Sequence, residues 1–427
     1  MDSILKLDEK FIEDDSIKSY EYNEYLPTSG SSLNNSGTIT IHIESQDEFY
    51  HPRRSYLLVE GSLVKKADEK PFTVADTIAL TNNGIMHLFS NVKYEIAGQE
   101  IESVNEPGIA GCLMGTAKFP YGYSNGVGLM GCWAQNTAAS QLDAKGWEKR
   151  KDYIIVKSVP IGSFSFIIDL ENVFGFVEDY DKVTYGMRQK LTLVRKSDND
   201  AILKTGATVE GKVILTKLAW MMPRVHANDI QKYQLYRKIE SKLSIDVGFR
   251  MRQCNVAELS KDLQSYDWRL GVRSSPEKPR HVLIAFQKDR SDSQVKDSSL
   301  FDNLKTTQIS VILNDVKYPA RDMHADFAKH NYIGYYKSFV DFARDFYGLD
   351  PLTVGNFIDP ITYKDNFAIF YFNVSHQSEK INHGIIDITV QMRFKENTVA
   401  NTKAYALVIS DRRMKFQSDG KKMNIMY

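Results

Sequence analysis

Along residues 38–43, Ile39, Ile41 and Ile43 face one way while Thr38, Thr40 and His42 face the other. This period-two alternation predicts a half-buried β-strand. The pattern recurs at 56–64, 85–89, 92–96 and 99–103, with Ala97-Gly98 as a hairpin turn between the last two. It continues at 163–170, where Phe164, Phe166, Ile168 and Leu170 share a face, and at 190–194 and 209–219. A second run follows at 245–250, 281–288, 309–313, 366–374, 384–394 and 404–410. Within it, Ile386, Ile388, Val390, Met392 and Phe394 point inward and Asp387, Thr389, Gln391 and Arg393 outward. Short alternating strands in two successive runs predict antiparallel sheets packed as two sandwiches.

Between the runs the period changes. Residues 229–242 carry apolar or aromatic side chains at 230, 233, 236 and 239, which is helical spacing and predicts a connector helix. Inside the second run, residues 326–347 place Tyr335, Phe339, Phe342 and Phe346 on one stripe, predicting one long inserted helix whose aromatic face packs on a sheet. Residues 105–152 follow neither period. They hold Gly108, Gly111, Gly115, Gly122, Gly126, Gly128, Gly131 and Gly146, together with Trp133 and Trp147. A span this long without pattern is functional or disordered, and its aromatic content argues for order. The expectation is an excursion that makes subunit contacts, with Trp133 and Trp147 as the candidate interface residues.

The predicted organisation is therefore an N-terminal arm and linker over 1–37, a first β-unit over 38–225 with the excursion at 105–152, a connector over 226–242, a second unit over 243–415 and a tail over 416–427. The arm is acidic, and residues 28–37 form a polar joint. Each half also carries a Val-Lys-Tyr tract, at 92–94 and 316–318, read as the mark of a duplication. Duplicated sandwiches build surfaces more often than they perform chemistry.

Composition narrows the class. A chain of 427 residues with 42% hydrophobic and 25% charged residues is globular and long enough for two or three domains. Its 23 Tyr and 22 Phe suit pleated strands and large buried contacts. Lys and Arg number 54, Asp and Glu 54, so there is no global electrostatic pull toward nucleic acid. Cys112, Cys132 and Cys254 form neither a disulfide framework nor a zinc spacing, which fits a reducing compartment. No secretory leader or membrane-spanning run is apparent, so the glycosylation-type tripeptides at Asn34 and Asn373 are read as chance matches.

Candidate chemistry is sparse. Gly126-Val127-Gly128-Leu129-Met130-Gly131 spells GxGxxG, but a dinucleotide site needs a strand before it and a βαβ unit around it. Phe119-Pro120-Tyr121-Gly122-Tyr123 breaks any such strand. The nine histidines show neither HxH nor HExxH spacing, GxSxG and Walker A sequences are absent, and no carboxylate pair stands out. Runs such as Lys149-Arg150-Lys151 read as solvated faces. No catalytic, cofactor-binding or metal-binding residue is assigned, and the chain is not expected to be an enzyme.

Several tracts carry a family resemblance. In the second half these are 314–319 followed by the aromatic helix, Phe367-Ala368-Ile369-Phe370-Tyr371-Phe372-Asn373-Val374, Gly384-Ile385-Ile386-Asp387-Ile388, and Ala404-Tyr405-Ala406-Leu407-Val408-Ile409-Ser410-Asp411-Arg412. In the first half they are Leu80-Thr81-Asn82-Asn83-Gly84-Ile85-Met86-His87-Leu88-Phe89, residues 92–101 and Trp220-Met221-Met222-Pro223. Over about residues 38–415 the chain resembles the double jelly-roll major capsid proteins of polintons and related DNA viruses, the lineage shared with adenovirus-like particles. The resemblance implies an all-β fold of two consecutive eight-stranded antiparallel jelly rolls, with the connector helix and the inserted helix. It further implies a structural role in which homotrimers act as pseudo-hexagonal capsomers tiling an icosahedral shell. The implied partners are other copies of the chain and a penton or minor capsid protein, with no sequence-specific nucleic acid, and the implied location is the virion. Two other readings stand beside it. One is a tandem β-sandwich that binds or processes carbohydrate, and the other is a capsid-derived protein captured by a host.

Overall fold

The alternating segments fold into two units with the same strand order. A computed structural model describes residues 16–28, 32–34, 36–44, 47–136, 145–271, 277–349, 358–376, 386–420 and 423–426. The long strands of the first unit are β1 (Ile17–Tyr25), β2 (Thr38–Ile43), β3 (Tyr56–Lys65), β4 (Phe89–Ile96), β5 (Gln99–Asn105), β6 (Ser163–Asp169), β7 (Gln189–Arg195) and β8 (Gly211–Ala227). The short pieces Phe49–Tyr50 and Thr184–Tyr185 lengthen the sheet of β8, and Ile78–Leu80 pairs with Ile202–Lys204 apart from both sheets. One sheet runs β1-β8-β3-β6 and the other β2-β7-β4-β5, all antiparallel. The second unit comprises β9 (Ser244–Leu259), β10 (Ser265–Arg269), β11 (Lys278–Lys288), β12 (Thr306–Leu313), β13 (Val316–Tyr318), β14 (Ile369–Asn373), β15 (Ile388–Phe394) and β16 (Thr402–Ser418). Its sheets run β9-β16-β11-β14 and β10-β15-β12-β13, the first order again with eight added to every number. These are two eight-stranded jelly rolls, as expected.

Alternation explains both cores. In the first roll, Ile39, Ile41 and Ile43 pair in register with Leu193, Leu191 and Gln189, and the isoleucines are buried. Tyr94 of β4 reaches across the sandwich to the Trp220 ring of β8, edge on at 5.9 Å, and donates its hydroxyl hydrogen to Gln189 Oε1 at 2.6 Å. In the second roll, Phe394 of β15 meets Phe286 of β11 in the same way at 5.5 Å.

Helices fill equivalent connections. Between β5 and β6 lie α1 (Pro107–Lys118), a short helix over Tyr121–Asn125, a 3-10 turn over Val127–Gly131 and α2 (Lys145–Lys151). α3 (Gly175–Asp179) follows β6, and α4 (Asp229–Glu240) joins the rolls. Between β13 and β14, the counterpart of the β5–β6 connection, lie α5 (Ile333–Tyr347) and α6 (Pro360–Asn366). On α5, Tyr335, Phe339, Phe342 and Phe346 are buried, with Tyr335 and Phe342 edge on to Phe370 and Tyr371 of β14 at 5.1 Å each.

Several expectations are corrected. Residues 17–25, assigned to the arm, are β1, which pairs with β8 from Ile17↔Ala227 to Tyr25↔Trp220. The tail assigned to 416–427 is also sheet, since β16 reaches Ser418 and Met423–Met426 folds back onto it. The segment 85–89 is mostly a 3-10 turn, Met86–Leu88, leading into β4. β10 escaped notice because Ser265–Arg269 has few apolar residues to alternate. The Val-Lys-Tyr tracts are not equivalent, because 92–94 lies in β4 while 316–318 is β13, the counterpart of β5. Val92 is fully buried and Val316 is 54% exposed, so the duplication is real in topology but the tract does not mark it. The start of the strand expected at 384–394 lies outside the described residues.

Candidate functional site

The charged side chains taken furthest from water cluster where the two rolls meet. Glu102 lies opposite the buried Tyr94 and two residues before the buried Val104, so strand alternation itself turns it inward. The β4–β5 register slips between Tyr94↔Glu102 and Glu95↔Glu100, and the extra residue, Ile101, is buried beside it. The buried carboxylate then receives three backbone N–H groups. Gly175 donates to Oε1 at 3.1 Å, Arg252 to Oε1 at 2.7 Å and Phe176 to Oε2 at 3.0 Å. Burial pushes the Glu102 carboxyl up to about 7, while the Arg252 guanidinium and the three N–H groups pull it back down. Gly175 is required here because a Cβ would lie 1.8 Å from the Arg250 carbonyl oxygen.

Around this carboxylate, arginines of β9 clamp acids of the first roll. Arg250 Nε donates to both oxygens of Asp179, its Nη1 to the Phe346 carbonyl at 2.8 Å, and its guanidinium lies 4.1 Å over the Phe346 ring. Arg252 bonds Glu178 and the Asn172 carbonyl, and Lys118 of α1 also reaches Glu178, at 2.9 Å. Burial raises the Glu178 carboxyl, but Arg252 and Lys118 outweigh it and hold the group below the usual carboxylate range. Lys118 Nζ lies 5.3 Å from the Tyr347 ring centroid, so the helical connections of the two rolls meet.

A second lock lies where β8 begins. Asp297, fully buried in the β11–β12 connection, accepts from the Thr81 hydroxyl at 2.6 Å, Asn136 Nδ2 at 2.7 Å and the Ser299 N–H at 2.9 Å. Asn136 accepts in turn from Arg150 of α2, which is fully buried and also donates to the carbonyls of Leu80 and Ala134. Gln294 pairs with Gly211 in both directions, at 2.8 and 2.9 Å. β8 leaves this lock at Gly211 and ends at Ala227 beside α4, roughly 55 Å away for an extended strand of this length. Joined at both ends and along the middle, the rolls stand side by side as one block.

The tryptophans expected at a subunit interface are packed inside their own chain. Trp133 is 4% exposed, edge on to Phe119 at 5.1 Å, and covers Gly115 of α1. Trp147 is 3% exposed and its indole N–H donates to the Leu203 carbonyl. Both rings pin the excursion to the first roll. The excursion and the segment that follows it leave a set of apolar side chains exposed, Val127, Met130, Tyr153, Val156 and Val159, the last at 93%. This set follows the edge strand β6, with Gly131 close to the Ile167 carbonyl and the Tyr153 hydroxyl donating to the Ser165 carbonyl at 2.9 Å. The GxGxxG residues make the 3-10 turn after a helix, without the strand that a nucleotide site needs.

Among the described residues no group of three or more His, Cys, Asp or Glu gathers as a metal site, and no helix is long and apolar enough to cross a membrane. A cavity between the rolls beside Lys118, Trp133, Asp169 and Tyr347 has a volume of about 50 Å³, against roughly 300–1,000 Å³ for small-molecule sites. His87 and Cys112 touch at 3.6 Å, but both are buried, burial holds the imidazole down to about 4, and it lifts the thiol far above its ordinary value. Neither group is suited to nucleophilic work.

A family model described as a double jelly roll-like domain matches residues 78–414. No curated protein sequence matches the chain. Among solved structures, a chain of the Sputnik virophage superimposes with a TM-score of 0.61 at 10% identity, covering 100% of this chain and 92% of that one. The mavirus major capsid protein gives 0.55 at 10% identity, covering 98% and 92%. The Faustovirus major capsid protein gives 0.55 at 9% identity, covering 97% and 92%. At such identities the likeness is one of fold, and it extends over nearly the whole of each chain.

Proposed function

The chain belongs to the double jelly roll-like family, and from that membership we propose that it is a viral major capsid protein, structural rather than catalytic, whose homotrimers tile an icosahedral shell. The observation that carries this reading is the repetition of one eight-strand order in two rolls locked into a single block. Two like rolls per chain make six per trimer, so a threefold assembly has an outline close to a hexagon, a shape that tiles. Large rigid walls with buried charge networks suit a building unit. The balanced charge suits a wall that does not grip nucleic acid.

The subunit contact is placed on the apolar set along β6, where Val127, Met130, Tyr153, Val156 and Val159 offer a second copy a surface that water does not favour. Trp133 lies beneath that surface, sharing a cavity wall with Met130 and Gly131. A penton or minor capsid protein completes the shell at its vertices, and the working location is the virion.

Light scattering on the purified chain, followed by negative-stain imaging of the same sample, tests the proposal. A mass near three chains with hexagonal outlines, or closed shells, is expected. A clean monomer overturns it, and a monomer that binds glycans on an array replaces it with a tandem carbohydrate-binding protein. Trimers that build particles of another geometry point to a captured relative.

A further inference from the structure

We propose that β1 pairs edge to edge with β1 of a second copy about a twofold axis, so that neighbouring trimers share a continuous sheet. The inference rests on the trimeric reading above and adds the contact between trimers, which a threefold unit needs before it can tile. β1 lies at the edge of its sheet opposite β6, so the two contacts fall on opposite edges. Over its nine residues one side pairs with β8, and among the described residues no strand pairs with the other. The backbone N–H and C=O groups along that side are a template for one more strand. The strand also leaves Ile17, Tyr20 and Tyr22 53%, 40% and 44% exposed.

Charge on an edge strand ordinarily keeps other chains away. The charges of β1 instead match a second copy of β1. Laid antiparallel about Glu21, Ile-Lys-Ser-Tyr-Glu-Tyr-Asn-Glu-Tyr brings Lys18 opposite Glu24, Ser19 opposite Asn23 and Tyr20 opposite Tyr22, each pair repeated by the symmetry. Opposite charges and aromatic rings that face each other across a ladder attract. The register of β1 with β8 slips once, between Ile17 and Ser19, and a lysine side chain is long enough to reach Glu24 across that step. Within the chain Lys18 already pairs with Asp229 and Glu24 with Lys217, at 2.9 and 2.6 Å, so the contact extends two ion pairs into alternating networks. The Tyr20 hydroxyl is bonded to His51 Nδ1 at 3.0 Å, and the Tyr22 hydroxyl donates to the Arg54 carbonyl at 3.3 Å. Both rings are thereby held in place before a partner arrives. Only Glu21, which meets its own copy on the axis, opposes the pairing.

Cysteine substitution in the full-length protein tests the register, since Cys112, Cys132 and Cys254 are all buried and facing residues of a ladder lie at disulfide distance. Under mild oxidation, Glu21→Cys is expected to link chains in pairs by itself. Ser19→Cys and Asn23→Cys are expected to link only when the two variants are mixed, because each faces the other across the axis. Charge reversal gives a second readout by light scattering. Lys18→Glu alone and Glu24→Lys alone are expected to weaken association between trimers about tenfold, and mixing the two variants, which makes every facing pair unlike again, is expected to restore it. The ion pair that each variant loses within its own chain stays lost in the mixture, so rescue reports on the contact between copies. Trimers that persist while Glu21→Cys forms no link overturn this proposal and leave the trimeric reading standing. Equal linking at all three positions without mixing shows random collision and overturns it as well. A chain that stays monomeric overturns the trimeric reading and this contact with it.

Discussion

Glu102 of the first roll accepts the backbone N–H of Arg252 of the second at 2.7 Å, with its carboxylate fully buried. Its place opposite Tyr94 on β4 turns that side chain inward, and the charge it carries ties the stability of the junction to pH.

Burial raises the Glu102 carboxyl to about 7, so between its ordinary value of 4.5 and about 7 the folded chain holds a proton that the unfolded chain has released. Its contribution is full below about pH 4.5, is lost as pH rises through about 7 and is flat above, with a total of roughly 3 kcal/mol. Glu102→Gln is expected to remove this slope, although one N–H loses its acceptor and the variant is less stable throughout. Urea midpoints measured from pH 4.5 to 8 check it, and an unchanged slope in the variant would refute the assignment.

Two imidazoles act in the opposite sense. His87 and His281 are both held down to about 4, by burial first of all. Their contribution is complete above the unfolded value near 6.5 and is lost as pH falls through about 4. Two such groups outweigh one Glu102, so the melting temperature is expected to drop on acidification from pH 6.5 to 4.5. A melting temperature that holds or climbs over that interval would show that these rings are not buried neutral.

Asp297→Ala leaves the Thr81 hydroxyl and the Asn136 amide without their acceptor and removes the link from Arg150 to the second roll. A loss of about 2–4 kcal/mol is expected. If the lock couples the rolls, denaturant unfolding of the variant separates into two transitions. A single transition with an unshifted midpoint would show that Asp297 is not part of the coupling.

Gly115→Ala would set a methyl 2.3 Å from the Trp133 ring. Overpacking of this kind costs about 1–3 kcal/mol. Because the clash lies within one chain, the melting temperature is expected to fall by the same amount at every protein concentration. A loss seen only in dilute samples would instead place Trp133 at a contact between chains.

Met130→Asp with Val159→Asp puts charge into the exposed apolar set along β6. The expected outcome is a shift in mass from three chains toward one, with the far-ultraviolet circular dichroism retained. A trimer that survives both substitutions at low protein concentration places the subunit contact elsewhere.

The excursion shows where legibility ended. Its glycines at 108, 111 and 115 look like a broken pattern, but they form the close-packed face of α1 against His87, Asn83 and Trp133. Small-residue spacing was the available signal, and hydrophobic periodicity does not register it. Within the chain both tryptophans pack against the first roll, since large rings serve a chain's own core as readily as a neighbour. β1 was hidden by the acidic residues around it, because an edge strand with one face in water carries little apolar alternation.

By itself the sequence determined the strands whose alternation is strong, the connector, the aromatic helix and the all-β class. All of these are local consequences of which residues avoid water at a period of two or 3.6. Only the tertiary structure decided that both rolls share one strand order and that the two helical connections meet. It alone brought Glu102 to Arg252, and Arg150 through Asn136 to Asp297. These contacts join residues far apart in the chain, and a charged side chain does not reveal its burial until distant donors arrive to replace its water.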